Sequence, residues 1–231
     1  MARTKGAGNA DYEVSRLALA RRVRETLMGD DGIRSSLRQL AAGAGTSVAT
    51  LKHYFGDREG LLRAVMESLR IDGAPFMARA STPVSGDVRA SLRQFLTGLA
   101  VAWDRFQVGR MQAAMLAEGL TVKRLGPSYV TLLLEPLLQV GEQLLQRHID
   151  LGELLPFEVR QGALMLQAPV VLGLLHQQNL SGAGCRPLDL EAFIDAHVDA
   201  FLRAFPPGRR VAPPPRASAP APAPRRASMK A

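Results

Sequence analysis

Residues 47–55, SVATLKHYF, bring hydroxyl, cationic and imidazole side chains together at helical spacing. At about 100° per residue, Val48, Ala49, Lys52 and His53 fall on one arc of a helix. The two small side chains near the helix start would let the backbone approach a base edge closely. The lysine and the histidine one turn later could reach phosphates or bases. This combination predicts a helix that lies in a groove of DNA.

Hydroxyl and guanidinium groups border this arc. Thr50 and Tyr54 can form hydrogen bonds from their hydroxyl groups to backbone phosphates. Arg38, before the arc, and Arg58, after it, would flank the same groove. The competing interpretation is an ordinary exposed helix with scattered polar residues, and it does not explain why a tight glycine turn precedes the cluster.

Capping residues and glycines divide this part of the chain into short helices. Apolar residues at three- and four-residue spacing predict a helix over 14–28. Ser36 is placed to cap a second helix, which Gly45 would end. Ser47 is placed to cap the third helix, and Asp57 the fourth. Two short helices joined by a tight turn form a helix-turn-helix.

The remainder of the chain also has helical patterns, punctuated by proline and glycine. The expected helices span 87–105, 110–118, 127–149, 156–179 and 188–205, and Pro136 and Pro169 should kink two of them. The expected fold is all-α with about nine helices. The expected segments are a disordered arm (1–13), a three-helix DNA-binding domain (14–70), a second helical domain (71–205) and a disordered Pro/Ala/Arg tail (206–231).

Charge and composition narrow the class of protein. The net charge of +8 divides into +4 over residues 1–70, −2 over 71–205 and +6 over 206–231, which favours a polyanionic partner at the two ends. The single cysteine, Cys185, suits a reducing compartment. No stretch is typical of a signal peptide or of a bilayer span, so we expect a cytoplasmic protein without a membrane partner.

Catalytic and metal-binding patterns are not found in the sequence. The four histidines have no ligand spacing with one another or with Cys185, and no nucleophile motif occurs. We therefore predict no catalytic residue, no metal site and no cofactor. An all-helical enzyme is the weaker alternative, and a non-specific DNA binder of the nucleoid type is the stronger one.

The segment SSLRQLAAGAGTSVATLKHYFGDREGLLRAV resembles the DNA-binding domain of the tetracycline-repressor (TetR) family. The matching positions are Ser36, Leu40, Ala41, Ala44, Gly45, Ser47, Thr50, Leu51, Tyr54, Phe55, Arg58, Glu59, Leu61 and Leu62. Lys52 stands where the family usually has a phosphate-contacting tyrosine, and Gly43 stands where alanine is commoner. The resemblance covers about the first 70 residues, and beyond them only the number, length and order of the helices fit.

The resemblance implies a sequence-specific regulator, a repressor that binds a palindromic double-stranded DNA operator as a homodimer. It implies DNA-binding roles for Ser36, Arg38, Ser47, Val48, Ala49, Thr50, Lys52, His53, Tyr54 and Arg58. It also implies a pocket in the second domain for a small, largely apolar effector. Candidate walls of that pocket are Trp103, Phe106, Met111, Met115, Met165 and His176. The last two long helices would form the dimer interface.

Overall fold

The computed structural model describes residues 7–29, 32–105 and 107–208. Its α-helices are α1 (Ala7–Leu27), α2 (Leu37–Gly43), α3 (Val48–Phe55), α4 (Arg58–Ala80), α5 (Val88–Arg105), α6 (Val108–Thr121), α7 (Leu125–Tyr129), α8 (Glu135–Asp150), α9 (Val159–Leu174) and α10 (Leu190–Ala204). A π-helical turn, Val130–Leu134, joins α7 and α8 into one continuous rod. The described residues therefore hold nine helical rods, and the all-α prediction is confirmed.

The helix-turn-helix forms through local hydrogen bonds. Ser36 and Gln39 make a reciprocal capping box at the start of α2: the Gln39 amide donates to Ser36 Oγ at 3.3 Å, and the Ser36 amide donates to Gln39 Oε1 at 2.8 Å. Gly45 follows α2 with a φ of 62°, a conformation that glycine adopts at little cost. The Thr46 amide then donates to the Ala41 carbonyl at 2.9 Å, which completes a Schellman turn.

Gly43 has a packing reason to lack a side chain. A Cβ at this position would overlap the side chain of Thr26 on α1. The last turn of α2 therefore lies directly against α1. The glycine that is unusual for the family permits this close approach of the two helices.

Two hydrophobic clusters organise the chain. We call α1 to α3 and the first half of α4 the head, and α5 to α10 the body. The head core includes Leu19, Leu40, Leu51 and Leu62, all at most 2% exposed. Four buried residues of the body complete the same cluster: Met111, Met115, Leu125 and Leu133. In addition, α4 runs without interruption across the expected domain boundary at residue 70.

The body is a helical bundle with its own core. Residues of α5, α8, α9 and α10 bury their apolar faces against one another, as Leu92, Leu144, Leu166 and Val198 illustrate. Ion pairs fasten the rim of the bundle. On that rim Arg89 of α5 lies 2.7 Å from Asp199 of α10.

Some predicted boundaries are wrong for local reasons. The first helix begins at Ala7, so residues 7–13 are helical and do not belong to a disordered arm. The helix expected from Pro156 begins at Val159, because Glu158 accepts a capping hydrogen bond from the Arg160 amide.

The tail was expected from residue 206, but its first residues belong to the fold. Leu154 and Pro207 form an antiparallel bridge, and the Gly208 amide donates to the Glu153 carbonyl at 3.0 Å. The expectation for residues 209–231 lies outside the described residues. Across the ranges that are described, no helix has both the length and the apolar character needed to cross a bilayer.

Candidate DNA interface and effector cavity

The exposed face of α3 matches most of the predicted arc. Ala49, Lys52 and His53 are exposed, whereas Leu51 is buried in the head core. Val48, which the helical wheel places on the same arc, is half-buried and packs against that core. The exposed surface of α3 is therefore centred on Ala49, Lys52 and His53.

Hydroxyl side chains cap the N-termini of α2 and α3 beside this surface. Ser47 Oγ accepts from the Thr50 amide at 3.0 Å and lies 2.8 Å from the Thr50 hydroxyl. Ser36 is held in the capping box of α2. Arg38 is exposed in the first turn of the same helix. The serines and the threonine thus set the orientation of the two helices, and Arg38 adds a cation beside them.

Three aromatic rings meet at the C-terminal end of α3. The ring of Tyr54 lies 4.9 Å from that of Tyr12 on α1 and 5.1 Å from that of His53, measured between centroids. Tyr12 also meets His53 edge-on at 6.0 Å. This ring cluster connects the start of α1 to the predicted DNA-binding helix.

Arg58, a predicted DNA-flanking residue, forms an ion pair with the body. Its Nη2 is 2.8 Å from Oε1 of Glu118 on α6, and both side chains are partly buried. Arg58 was expected to flank the DNA groove, but in this structure its guanidinium pairs with a carboxylate of the body. Because Arg58 and Glu118 are distant in the sequence, no local pattern predicts this pairing.

A cavity of about 480 Å³ lies where the head meets the body. One wall is the end of α1, with Leu27, Met28 and Gly29. The opposite wall comes from α5, α6 and a second π-helical turn, Leu175–Asn179, which follows α9. Of the predicted pocket residues, Trp103 and Met111 line this cavity. Its size lies within the range of small-molecule sites.

The polar residues of the cavity were not predicted. The lining also contains Asp104, Gln107, Arg110, Gln178 and Asn179. The expectation of a largely apolar pocket is therefore not met by this cavity. Each of these side chains is unremarkable in the sequence, and only the tertiary fold brings them together.

Hydrogen bonds fix the cavity walls. The Trp103 indole donates to Asn179 Oδ1 at 2.9 Å, and Arg110 Nη1 donates to the Met28 carbonyl at 2.7 Å. Gly109 must lack a Cβ, because one would overlap the indole of Trp103. Gln107 begins α6 with a φ of 54°, which is uncommon for a residue other than glycine. These contacts hold the cavity walls from α1, α5 and α6 in fixed positions relative to one another.

The other predicted pocket residues do not line this cavity. Met115 belongs to the head core, because its face of α6 packs against the head. Met165 is 52% exposed on α9, because Ala163 and Leu166 occupy the face that packs into the body. His176 is exposed and lies 2.8 Å from the Gln177 amide nitrogen. Phe106 lies outside the described residues.

The sequence of the helix-turn-helix segment matches known bacterial regulators. Residues 25–65 match the sequence model of the family described as "Bacterial regulatory proteins, tetR family". A curated relative, the HTH-type transcriptional regulator BetI of Rhizobium meliloti, is 30% identical over 200 residues, which cover 81% of this chain and 89% of the relative.

Solved structures share the fold over most of the chain. A putative TetR-family regulator from Mesorhizobium loti has a TM-score of 0.67 at 20% identity, covering 84% of this chain and 98% of its own. FadR of Bacillus subtilis, solved in complex with stearoyl-CoA, has a TM-score of 0.61 at 16% identity, covering 80% and 96%. SmeT, the repressor of a Stenotrophomonas maltophilia multidrug efflux pump, has a TM-score of 0.57 at 21% identity, covering 90% and 97%.

Proposed function

Because the chain belongs to the TetR family of bacterial transcriptional regulators, we propose that it is a repressor that a small-molecule effector releases from a palindromic operator. The family consists of DNA-binding regulators and not of enzymes. The observation that carries the proposal is the cavity, since its walls come from both the head and the body. A molecule bound there would contact both parts at once.

In this proposal α3 enters the major groove with its exposed face. Ala49 lets the backbone approach the base edges, and Lys52 and His53 reach bases or phosphates. Arg38 contacts the backbone beside them. Val48 is a lesser contact, because it is half-buried against the head core.

The proposed homodimer uses the outer faces of α9 and α10. On α9 the exposed apolar side chains Leu164, Met165 and Leu172 follow helical spacing. On α10, Ala192, Ala196 and Ala200 are exposed at intervals of four residues, which suits close helix packing. Two heads fixed in one dimer would read two half-sites about 34–36 Å apart, which corresponds to a palindromic operator.

The proposed effector is a small molecule with both apolar and hydrogen-bonding groups. Met111 and Ala114 offer apolar contacts, while Asp104, Gln107 and Arg110 offer polar ones. Because Arg110 also holds the end of α1 through the Met28 carbonyl, a bound molecule would act directly on the head. Such a ligand lowers DNA affinity only if it binds the DNA-free arrangement more tightly. Among the fold relatives, SmeT is a repressor and FadR is complexed with stearoyl-CoA.

Selection of bound sequences from a random DNA pool tests the DNA-binding part of this proposal. The expected product is a palindrome, and Lys52→Ala should weaken binding to all sequences and reduce the salt slope by about one unit. Replacement of Ala49 by leucine should instead change the selected sequence. Enrichment of no sequence would indicate a non-specific, nucleoid-type DNA binder.

The intrinsic fluorescence of the single tryptophan provides a test of the proposed effector binding. Trp103 lines the cavity, and it is the only tryptophan of the chain. A compound library screened by Trp103 fluorescence should yield ligands that also release the operator. Gln107→Leu should weaken such ligands without affecting operator binding. Ligands that change the fluorescence but leave DNA bound would contradict release through this cavity.

A further inference from the structure

The second π-helical turn, Leu175–Asn179, lies between the end of α9 and the segment that leads to α10. It follows α9 without interruption, and the Leu180 amide donates to the Leu175 carbonyl at 2.9 Å, which is the hydrogen bond that defines a π-helix. Such turns are rare and occur frequently at functional sites. Side chains of this turn contact the cavity walls as well as the segment before α10.

Asn179 joins the turn to the cavity. Its Oδ1 accepts from the Trp103 indole at 2.9 Å, and its Nδ2 donates to the Gly109 carbonyl on α6 at 3.3 Å. Both ends of one amide group are therefore bonded, one to α5 and one to α6. Trp103 is buried, and a buried donor that loses its acceptor is costly. The position of the turn consequently sets the position of two cavity walls.

Gln177 joins the same turn to the segment that precedes α10. Its Nε2 donates to the Arg186 carbonyl at 3.0 Å, and its Oε1 accepts from the Leu188 amide at 3.0 Å. Asp189, the next residue, caps α10 by accepting from the Ala192 amide. Gln177 therefore fixes the start of α10 relative to the end of α9.

Exposed leucines adjoin the turn on the side of the proposed dimer surface. Leu172 is exposed near the end of α9, and Leu180 is exposed directly after the turn. Leu188, whose amide is bonded to Gln177, is exposed as well. A second subunit that packs on α9 and α10 would therefore also hold the turn between them in place.

We propose that this π-helical turn couples the walls of the cavity to the association of the two subunits, with Asn179 on the cavity side and Gln177 on the α10 side. The inference rests on the proposed dimer and the proposed effector site, and it specifies how the two are linked. Because such coupling is reciprocal, a ligand that displaces Asn179 changes the affinity between subunits by the factor by which association changes the affinity for the ligand. Both residues are positioning residues, because they act through the cavity walls and the start of α10.

The first test measures the dimer dissociation constant by sedimentation. Asn179→Ala removes only bonds to the cavity walls, and it should weaken association about fivefold or more, which is the lower end of typical coupling. Gln146→Ala is the matched control, because it removes the hydrogen bond from Gln146 to Asp150 on the exposed face of α8, and it should keep the wild-type constant. A wild-type constant in Asn179→Ala would overturn the proposal.

The second test uses the single tryptophan of the unmodified chain as a reporter. Dilution of the wild-type protein through its dimer dissociation constant should shift the Trp103 emission to longer wavelength, because a loosened turn admits water to the indole. If the dimer is too tight to dilute, Leu172→Asp provides the monomer for comparison. An emission that stays the same while sedimentation shows dissociation would contradict the coupling.

Gln177→Leu separates the two sides of the turn. It keeps the hydrogen bond between Trp103 and Asn179 but removes the bonds to the segment before α10. Dissociation of this variant should therefore no longer shift the emission, whereas Gln146→Ala should shift as the wild type does. A wild-type shift in Gln177→Leu would exclude Gln177 as the link to α10.

The dimer and the coupling fail on different observations. A wild-type chain that sediments as a monomer at every concentration would exclude the proposed dimer and the coupling with it. A wild-type dimer whose dissociation leaves the Trp103 emission unchanged would exclude the coupling alone. The proposed operator binding and the proposed dimer would then stand.

Discussion

The guanidinium of Arg58 lies 2.8 Å from the carboxylate of Glu118, and this pair fastens the first turn of α4 to α6. The same α6 lines the cavity with Arg110 and Met111. A displacement of α6 by a ligand would therefore act on the head through this ion pair as well as through α1.

A double-mutant cycle measures this connection. Arg58→Ala and Glu118→Ala should each destabilise the fold by up to about 1 kcal/mol, because both groups are partly exposed. The double variant should lose little more than either single variant, because either substitution already removes the ion pair. The salt slope of operator binding should not change in Arg58→Ala. A slope reduced by about one unit would instead indicate that Arg58 leaves Glu118 to contact a phosphate.

Gly43→Ala should destabilise the protein although alanine favours helices. The new methyl group would overlap Thr26, so we expect a loss of about 1–3 kcal/mol in the free energy of unfolding. Gly98→Ala on α5 is the matched control, because its Cβ meets no atom within 4 Å, and it should stabilise by up to about 1 kcal/mol. Thr26→Ala should rescue part of the loss, and a stabilising Gly43→Ala would contradict the close packing. Urea unfolding provides the measurement.

Leu172→Asp should disrupt the proposed dimer without unfolding the subunit. Leu172 is 67% exposed on α9, whereas the nearby Val171 and Leu175 pack partly against the body core. Sedimentation should show monomers with weak operator binding. Leu120→Asp, at a leucine 79% exposed on α6, should remain dimeric. A dimeric Leu172→Asp would place the interface elsewhere.

The attachment of α1 to α4 should lose stability in acid through Asp72. A hydrogen bond from Arg21, at 2.6 Å, together with Arg24 holds the pKa of Asp72 below its usual range. A carboxyl group with a lower pKa in the folded state stabilises the fold above its unfolded pKa of about 3.9, and this contribution disappears as pH falls through the folded value.

Asp72→Asn should therefore destabilise most near neutral pH, and its difference from the wild type should shrink below about pH 4. Thermal melts of the wild type and of Asp72→Asn between pH 3 and 7 provide the measurement. A difference for Asp72→Asn that does not vary with pH would argue against the ion pairs.

Two truncations distinguish the contribution of residues 206–208 to stability from the contribution of residues 209–231 to DNA binding. Removal of residues 209–231 should leave the Tm nearly unchanged and should weaken binding to random DNA at low salt by about an order of magnitude, because six cations are lost. Removal of residues 206–231 should also lower the Tm, because it deletes the hydrogen bond from Gly208 to Glu153. Equal Tm values for the two truncations would show that this contact does not stabilise the protein.

Features that depend on neighbouring residues could be predicted from the sequence. Ser36, Ser47 and Asp57 cap their helices as expected, because each side chain accepts from an amide three residues ahead. The alternation of buried and exposed residues on α3 likewise follows from helical spacing. These local rules position Lys52 and His53.

Features that depend on distant contacts could not be predicted. Arg58 could have faced DNA or protein, and only the packing of α6 decides that it meets Glu118. Tyr12 was placed in a disordered arm, because no apolar repeat surrounds it. The cavity combines residues from the end of α1 with residues near 104–111 and 178–179, and no sequence pattern connects those segments.

The shared core has a consequence for protein engineering and for evolution. Met111, Met115, Leu125 and Leu133 of the body are buried in the same cluster as the leucines of the head. A fragment ending at residue 70 would expose that cluster, and a head transplanted from a relative would meet unmatched side chains. We therefore expect that the head is not an exchangeable module, and that a change of DNA specificity on the exposed face of α3 requires the buried residues beneath it to stay matched to the body.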